Sequence, residues 1–184
     1  RTIPSGGIPR SSAVGGCHDS VMGHTTEGHR ESDAPRDVTG ADRSVMELSF
    51  LGGAGEVGRS ALLVDGTLLL DYGMQATTPP RYPVGDVNPD AVVVSHGHLD
   101  HAGAVPALCS GDARPPIHWT PPTRDLATLL AEDTLKLHGG TPHCPFTETD
   151  VRRVTQVSET HGYGESFTAA GYEVTLYDAG HIPG

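Results

Sequence analysis

Four side chains of metal-ligand type fall within six positions at His96-Gly97-His98-Leu99-Asp100-His101. Zinc takes imidazole nitrogen and carboxylate oxygen in a tetrahedral shell. Alternate residues of an extended turn place His96 and His98 on one side, as two ligands of one ion. Asp100 and His101 are adjacent and open the next helix, so they can face a second ion a few ångströms away. Two ions sharing one water make a hydrolytic centre. A lone histidine is more often a surface group, but four ligands directly after an apolar run read as a metal motif.

The element that must carry them is Ala91-Val92-Val93-Val94, a β-branched run that follows Asn88-Pro89-Asp90 and reads as a short buried strand. Near the other end, Glu173-Val174-Thr175-Leu176-Tyr177 alternates as a strand should, and it delivers Asp178-Ala179-Gly180-His181. A strand, a Gly-hinged turn and then a histidine is the geometry a third zinc ligand needs. By itself His181 would be unremarked; after His96 and His98 it is read as a ligand of the same ion.

One motif argues for different chemistry. Gly53-Ala54-Gly55-Glu56-Val57-Gly58 is a literal G-x-G-x-x-G, and Asp71 follows at the distance a ribose-binding acid would occupy. That fingerprint requires a helix of about ten residues or more after its last glycine. Here Asp65-Gly66 lies between Ser60-Ala61-Leu62-Leu63-Val64 and Thr67-Leu68-Leu69-Leu70-Asp71, which is a hairpin signal. The dinucleotide reading is rejected.

Several stretches together resemble the β-CASP branch of the metallo-β-lactamase fold, the RNA-processing nucleases, and among them the archaeal mRNA 3′-end processing factor type. They are the histidine cluster, Phe50 to Ser60, Leu68 to Gly73, Pro122-Thr123-Arg124-Asp125-Leu126, Gly162 to Glu165, and Tyr177 to Gly184. The resemblance covers Met46 to Gly184. It implies an α/β fold, the N-terminal half of an αββα sandwich, and hydrolysis of RNA phosphodiesters at two zinc ions. His96, His98 and His181 would hold one zinc, and Asp100 and His101 the other. Asp100 would also orient the attacking water, and Asp71 would be a carboxylate that orients the ligand loop. The family's further bridging Asp, its late His and its inserted β-CASP domain have no counterpart up to Gly184, so the resemblance implies a piece that is inactive alone. Two alternatives stay open: another hydrolase of the same fold, of thioesterase or lactamase type, and a non-catalytic RNA-processing subunit.

Composition sets limits on partners. Acidic residues outnumber basic ones by 23 to 12, for a net charge of −11, and Lys136 is the one lysine. This argues against a general polyanion-binding surface, since such surfaces neutralise phosphates with Lys and Arg; it does not exclude a nuclease whose metals bind the phosphate. Scarce lysine with abundant acid fits a salty cytoplasm, where screening weakens self-repulsion, or simply a high-GC genome. Cys17, Cys109 and Cys144 leave an odd thiol and no C-x-x-C pair, a reduced and cytoplasmic pattern. No apolar run approaches the ~20 residues of a membrane helix. A homodimer is left open.

The remaining elements are read more simply. Residues 1–45 carry no apolar periodicity and read as a disordered leader or non-native extension; His18, His24 and His29 match no ligand spacing. The metallo-β-lactamase part is 46–184. Glu47 to Leu51 reads as the first strand. Met74 to Asp90 reads as a long surface loop, with Arg81 and Tyr82 as candidate substrate contacts. Ala102 to Cys109 reads as one short helix. Pro116 to Trp119 reads as a strand whose His118 is a wall residue. A helix from Pro121 to His138 is expected to bury Leu126, Leu129, Leu130 and Leu137. Thr147 to Asp150 reads as a cap on a further short helix. His143 and Cys144, without a second pair, are weak ligands.

Overall fold

The computed structural model describes residues 45–184. The expectations for residues 1–44, including Cys17 and the three early histidines, lie outside the described residues. The chain runs β1 (Leu48–Gly52), β2 (Ala61–Val64), β3 (Leu68–Leu70), β4 (Ala91–Val93), α1 (Leu99–Ala102), a 3-10 turn (Val105–Cys109) and β5 (Ile117–Trp119). It continues through α2 (Pro121–His138), α3 (Glu148–Gln156), β6 (Ser158–Thr160), β7 (Ser166–Ala169) and β8 (Tyr172–Thr175).

Strands β1 to β6 form one sheet in sequence order, and β7 pairs with β8 in a second. The first three strands are antiparallel; β3, β4, β5 and β6 are mutually parallel. The hairpin expected at Asp65-Gly66 joins β2 to β3. Both residues have positive φ, 47° and 70°, which suits a tight turn between twisted strands. No helix follows Gly58, so the glycine-rich loop closes on β2 and the dinucleotide reading fails structurally as well.

Residue alternation sorts the sheet's two faces. Leu69, Val92, Val94, Ile117 and Trp119 pack with Ala127 of α2 and Val154 of α3. Leu68, Ala91 and Val93 point the other way, onto Phe167, Ala169, Tyr172 and Val174 of the β7–β8 ribbon. Helices cover one face and a second sheet the other, which are successive layers of the expected sandwich. Strand β4 is buried on both faces, as its continuous apolar run requires.

Two local expectations are corrected. The stretch from Ala102 to Cys109 is not one helix: α1 ends at Ala102 and a 3-10 turn begins at Val105 with Pro106 in its first turn. Proline has no N–H to continue the α-helical ladder, so the chain restarts there. On α2 the buried residues are Thr123, Ala127, Ala131 and Thr134, while Leu129 and Leu137 are 58% and 69% exposed. Small side chains face the core, Leu126, Leu130 and Leu135 lie at its flanks, and the helix extends from Pro121 to His138 as expected.

Helix α3 begins at a reciprocal cap in which Asp150 N–H donates to Thr147 Oγ1 and Thr147 N–H donates to Asp150 Oδ2. Thr147→Ala should lower stability by about 1 kcal/mol, read as a shift of the urea midpoint at constant slope.

Candidate metal centre

Strand β4 ends at Val93, and the next residues turn out of the sheet at its C-terminal edge. Gly97 lets the turn lie close to α2: a Cβ there would come within 2.9 to 3.0 Å of the Leu126 side chain. The turn is thus pressed against the helix, with His96 and His98 facing one point. His96 Nε2 lies 3.1 Å from His98 Nδ1, and His181 Nε2 lies 3.2 Å from the same atom. All three donor atoms fall within 4.8 Å of one another.

Those separations fit a zinc ion. Nitrogens bound at 2.0–2.1 Å in a tetrahedron stand about 3.3 Å apart. Burial, and then the positive potential of a charged His101 nearby, hold the His96 imidazole below its ordinary range, although Asp71 opposes the shift. A neutral ring keeps the lone pair that coordination needs. Ser95 Oγ meets His96 Nδ1 at 2.9 Å, which leaves Nε2 to face the other rings. The donor set, its spacing and its protonation suit a divalent metal.

Behind the histidines stands Asp71, which follows β3 in the parallel neighbour of β4. Its Oδ1 accepts from the Ser95 N–H at 2.7 Å and its Oδ2 from the Ser95 hydroxyl at 2.9 Å. Oδ2 also meets His101 Nδ1 at 2.7 Å. A carboxylate only accepts, so His101 carries its proton on Nδ1 and turns Nε2 outward. Asp71 sits at φ 59°, in the left-handed region that non-glycine residues seldom occupy. That conformation bends the chain as β3 ends, and Asp71 N–H still donates to Val93 O.

The next three residues and Ser60 lock the same loop. Tyr72 N–H donates to His101 O, Met74 N–H to Leu99 O, and Ser60 N–H to Asp100 O. Gly73 passes so close that a Cβ would lie 1.7 Å from Asp100 O. Ser60, which ends the glycine-rich loop, and the 72–74 segment therefore buttress the ligand turn.

The structure brings His96, His98 and His181 together and ties His101 to Asp71. Asp100 is half-exposed beside His101, its Oδ2 3.8 Å from His101 Nε2. Arg81 is engaged with Glu56 and Gln75, and the Tyr82 hydroxyl donates to His143 O, so both candidate substrate contacts serve the protein's own loops. Burial pushes the Tyr82 phenol up to about 12. Ser95 was not singled out from the sequence; it adjoins His96, but nothing in the sequence ties it to Asp71, 24 positions away.

The Asp71 bond, against the opposing effect of burial, raises the His101 imidazole above its ordinary range. A raised folded value means the pair's contribution is complete below the unfolded value near 6.5 and disappears as pH climbs through the raised value. The metal-free chain should lose stability with rising pH in the window above about 6.5. Asp71→Asn should abolish that slope in melting curves recorded across the window. The same variant should weaken zinc binding about 10- to 100-fold, measured against a competing chelator, because the ligand loop loses its anchor.

Residues 54–175 match the model of the family described as the Metallo-beta-lactamase superfamily. The chain belongs to this superfamily. RNase aCSPSF2 of Saccharolobus solfataricus is 40% identical to this metallo-beta-lactamase chain over 157 residues, covering 80% of the chain and 31% of the relative. Transcription termination factor FttA of a Lokiarchaeum species is 36% identical over 154 residues, or 76% of the chain and 24% of the relative. FttA of Methanocaldococcus jannaschii is 34% identical over 163 residues, or 81% and 25%. The narrower likeness to archaeal RNA-processing factors is borne out by these relatives. The chain spans about a quarter to a third of their length. Among the described residues no helix is long and apolar enough to cross a membrane.

Proposed function

We propose that this chain supplies the first metal site of a zinc-dependent ribonuclease that hydrolyses RNA phosphodiesters in RNA processing or transcription termination in the cytoplasm. The observation that carries this reading is the convergence of His96, His98 and His181, with His98 Nδ1 at 3.1 Å from His96 Nε2 and 3.2 Å from His181 Nε2 and all three donors within 4.8 Å. When bound, divalent metal would neutralise charge on the phosphoryl oxygens and acidify a water.

The protein's own residues have three tasks. His96, His98 and His181 hold the first ion. Asp71 fixes the turn through Ser95 and aims His101 Nε2 outward, where it and Asp100 are the donors for a second ion. With two donors that second site fills weakly unless further ligands join it. Asp100, half in solvent, is also placed to accept a proton from the attacking water. The net charge of −11 leaves this chain little general attraction for RNA, so within it phosphate would be held at the metal-binding histidines.

The name of RNase aCSPSF2 favours RNA over the other substrates of the superfamily. Hydrolysis of a 5′-labelled RNA, a β-lactam and a thioester can be compared for the chain joined to the remainder of RNase aCSPSF2. RNA cleavage that a chelator stops and zinc restores is expected. Turnover of the lactam or the thioester with RNA left intact would overturn the reading.

A further inference from the structure

We propose that His118, Glu159 and His161 form a second and independent transition-metal site, suited to zinc, that clips β5, β6 and the following loop together. The three residues are distinct from His96, His98 and His181. His118 and Glu159 are register partners in the parallel β5–β6 pair, so they stand side by side on one face. His118 Nδ1 lies 3.0 Å from His161 Nε2 and 3.6 Å from Glu159 Oε2, and all three donor atoms fall within 4.8 Å of one another.

Two imidazole nitrogens and one carboxylate oxygen, with a fourth position left for water, are a donor set that zinc favours. Calcium and magnesium require shells of oxygen and fit poorly. Burial holds the His118 ring below its ordinary range, with Glu159 opposing, so the ring is neutral and able to donate its lone pair.

The rings are also held in place before any ion arrives. Phe167 of β7 stacks on His161 at 3.7 Å between centroids and 9° between planes, and lies 5.0 Å from the His118 ring at 22°. Ligands fixed in advance lose little freedom on binding.

A simple hydrogen bond between the two imidazoles would account for His118 and His161. It would give Glu159, whose side chain is 57% exposed, no part to play. Dependence on Glu159 therefore separates the two descriptions.

The placement has a consequence for the neighbouring cavity. His161 and His181 both line a cavity of about 630 Å³, together with Gly162, Tyr163 and Asp178. An ion at His161 would fix one part of the lining of that cavity, which His181 of the first cluster also lines.

The test is zinc binding by the full chain carrying His96→Ala and His98→Ala, which disables the first cluster, in competition with a chromophoric chelator. One zinc should remain bound. Adding Glu159→Gln or His161→Gln, both substitutions at positions outside the buried core, should weaken that zinc at least tenfold, and circular dichroism verifies that each variant is folded. The proposal is overturned if the double variant binds no zinc, or if its zinc is held equally well after Glu159→Gln and His161→Gln. Zinc held elsewhere in the chain would give the latter result.

Discussion

His98→Ala should weaken zinc binding to the first site by at least about 100-fold, more than loss of the supporting Asp71 carboxylate. The reason is geometric. His98 Nδ1 lies 3.1 Å from the His96 donor and 3.2 Å from the His181 donor, so it is the atom through which the other two meet. Removing it leaves two ligands, one from the β4 turn and one from the segment after β8. His98 is only partly buried and its side chain fills no core position, so the fold should survive. A chelator competition gives the affinity, and a melting curve of the metal-free variant gives the stability. Zinc held as tightly as in the unaltered chain would remove His98 from the site.

Gly73→Ala should have the largest effect on the fold, about 3 kcal/mol of destabilisation or more. The added Cβ would fall 1.7 Å from Asp100 O, 2.1 Å from Asp100 C and 2.7 Å from His101 N. These are backbone atoms of a turn whose carbonyls accept hydrogen bonds from the N–H groups of Ser60, Tyr72 and Met74, and they cannot rotate away as a side chain would. Either the 71–74 segment leaves the 99–101 turn, or the turn moves and carries Asp100 and His101 with it. Urea unfolding should show a large fall in midpoint, and zinc affinity should fall as well. An unchanged midpoint would mean that the two segments do not pack as closely as described.

The first metal cluster was legible because its parts are local. Four β-branched or small apolar residues specify β4, and the ligand types follow at once; His181 repeats the arrangement after β8. The Asp65-Gly66 turn was equally plain, since only a few residue pairs accept positive φ at both central positions.

Features made by distant contacts were not legible. Asp71 meets Ser95 and His101 because β3 and β4 are parallel neighbours, and no spacing in the chain announces that adjacency. The role of Asp71 came from the family resemblance alone. On α2, hydrophobicity favoured a leucine face, whereas the helix turns Ala127, Ala131 and two threonines inward and leaves Leu129 and Leu137 in solvent. His118 is buried as a wall residue would be, but its contacts with Glu159 and His161, 41 and 43 positions away, come from the parallel β5–β6 register and were not readable from spacing.

The most direct test of the metal centre is a long-range ¹H–¹⁵N spectrum of the histidine rings, recorded as zinc is added to the metal-free chain. Coordination should move the ring nitrogens of His96, His98 and His181 together as zinc fills their site, at Nε2 for His96 and His181 and at Nδ1 for His98. If any of those three rings keeps its metal-free signals when zinc is saturating, the three-histidine site is contradicted.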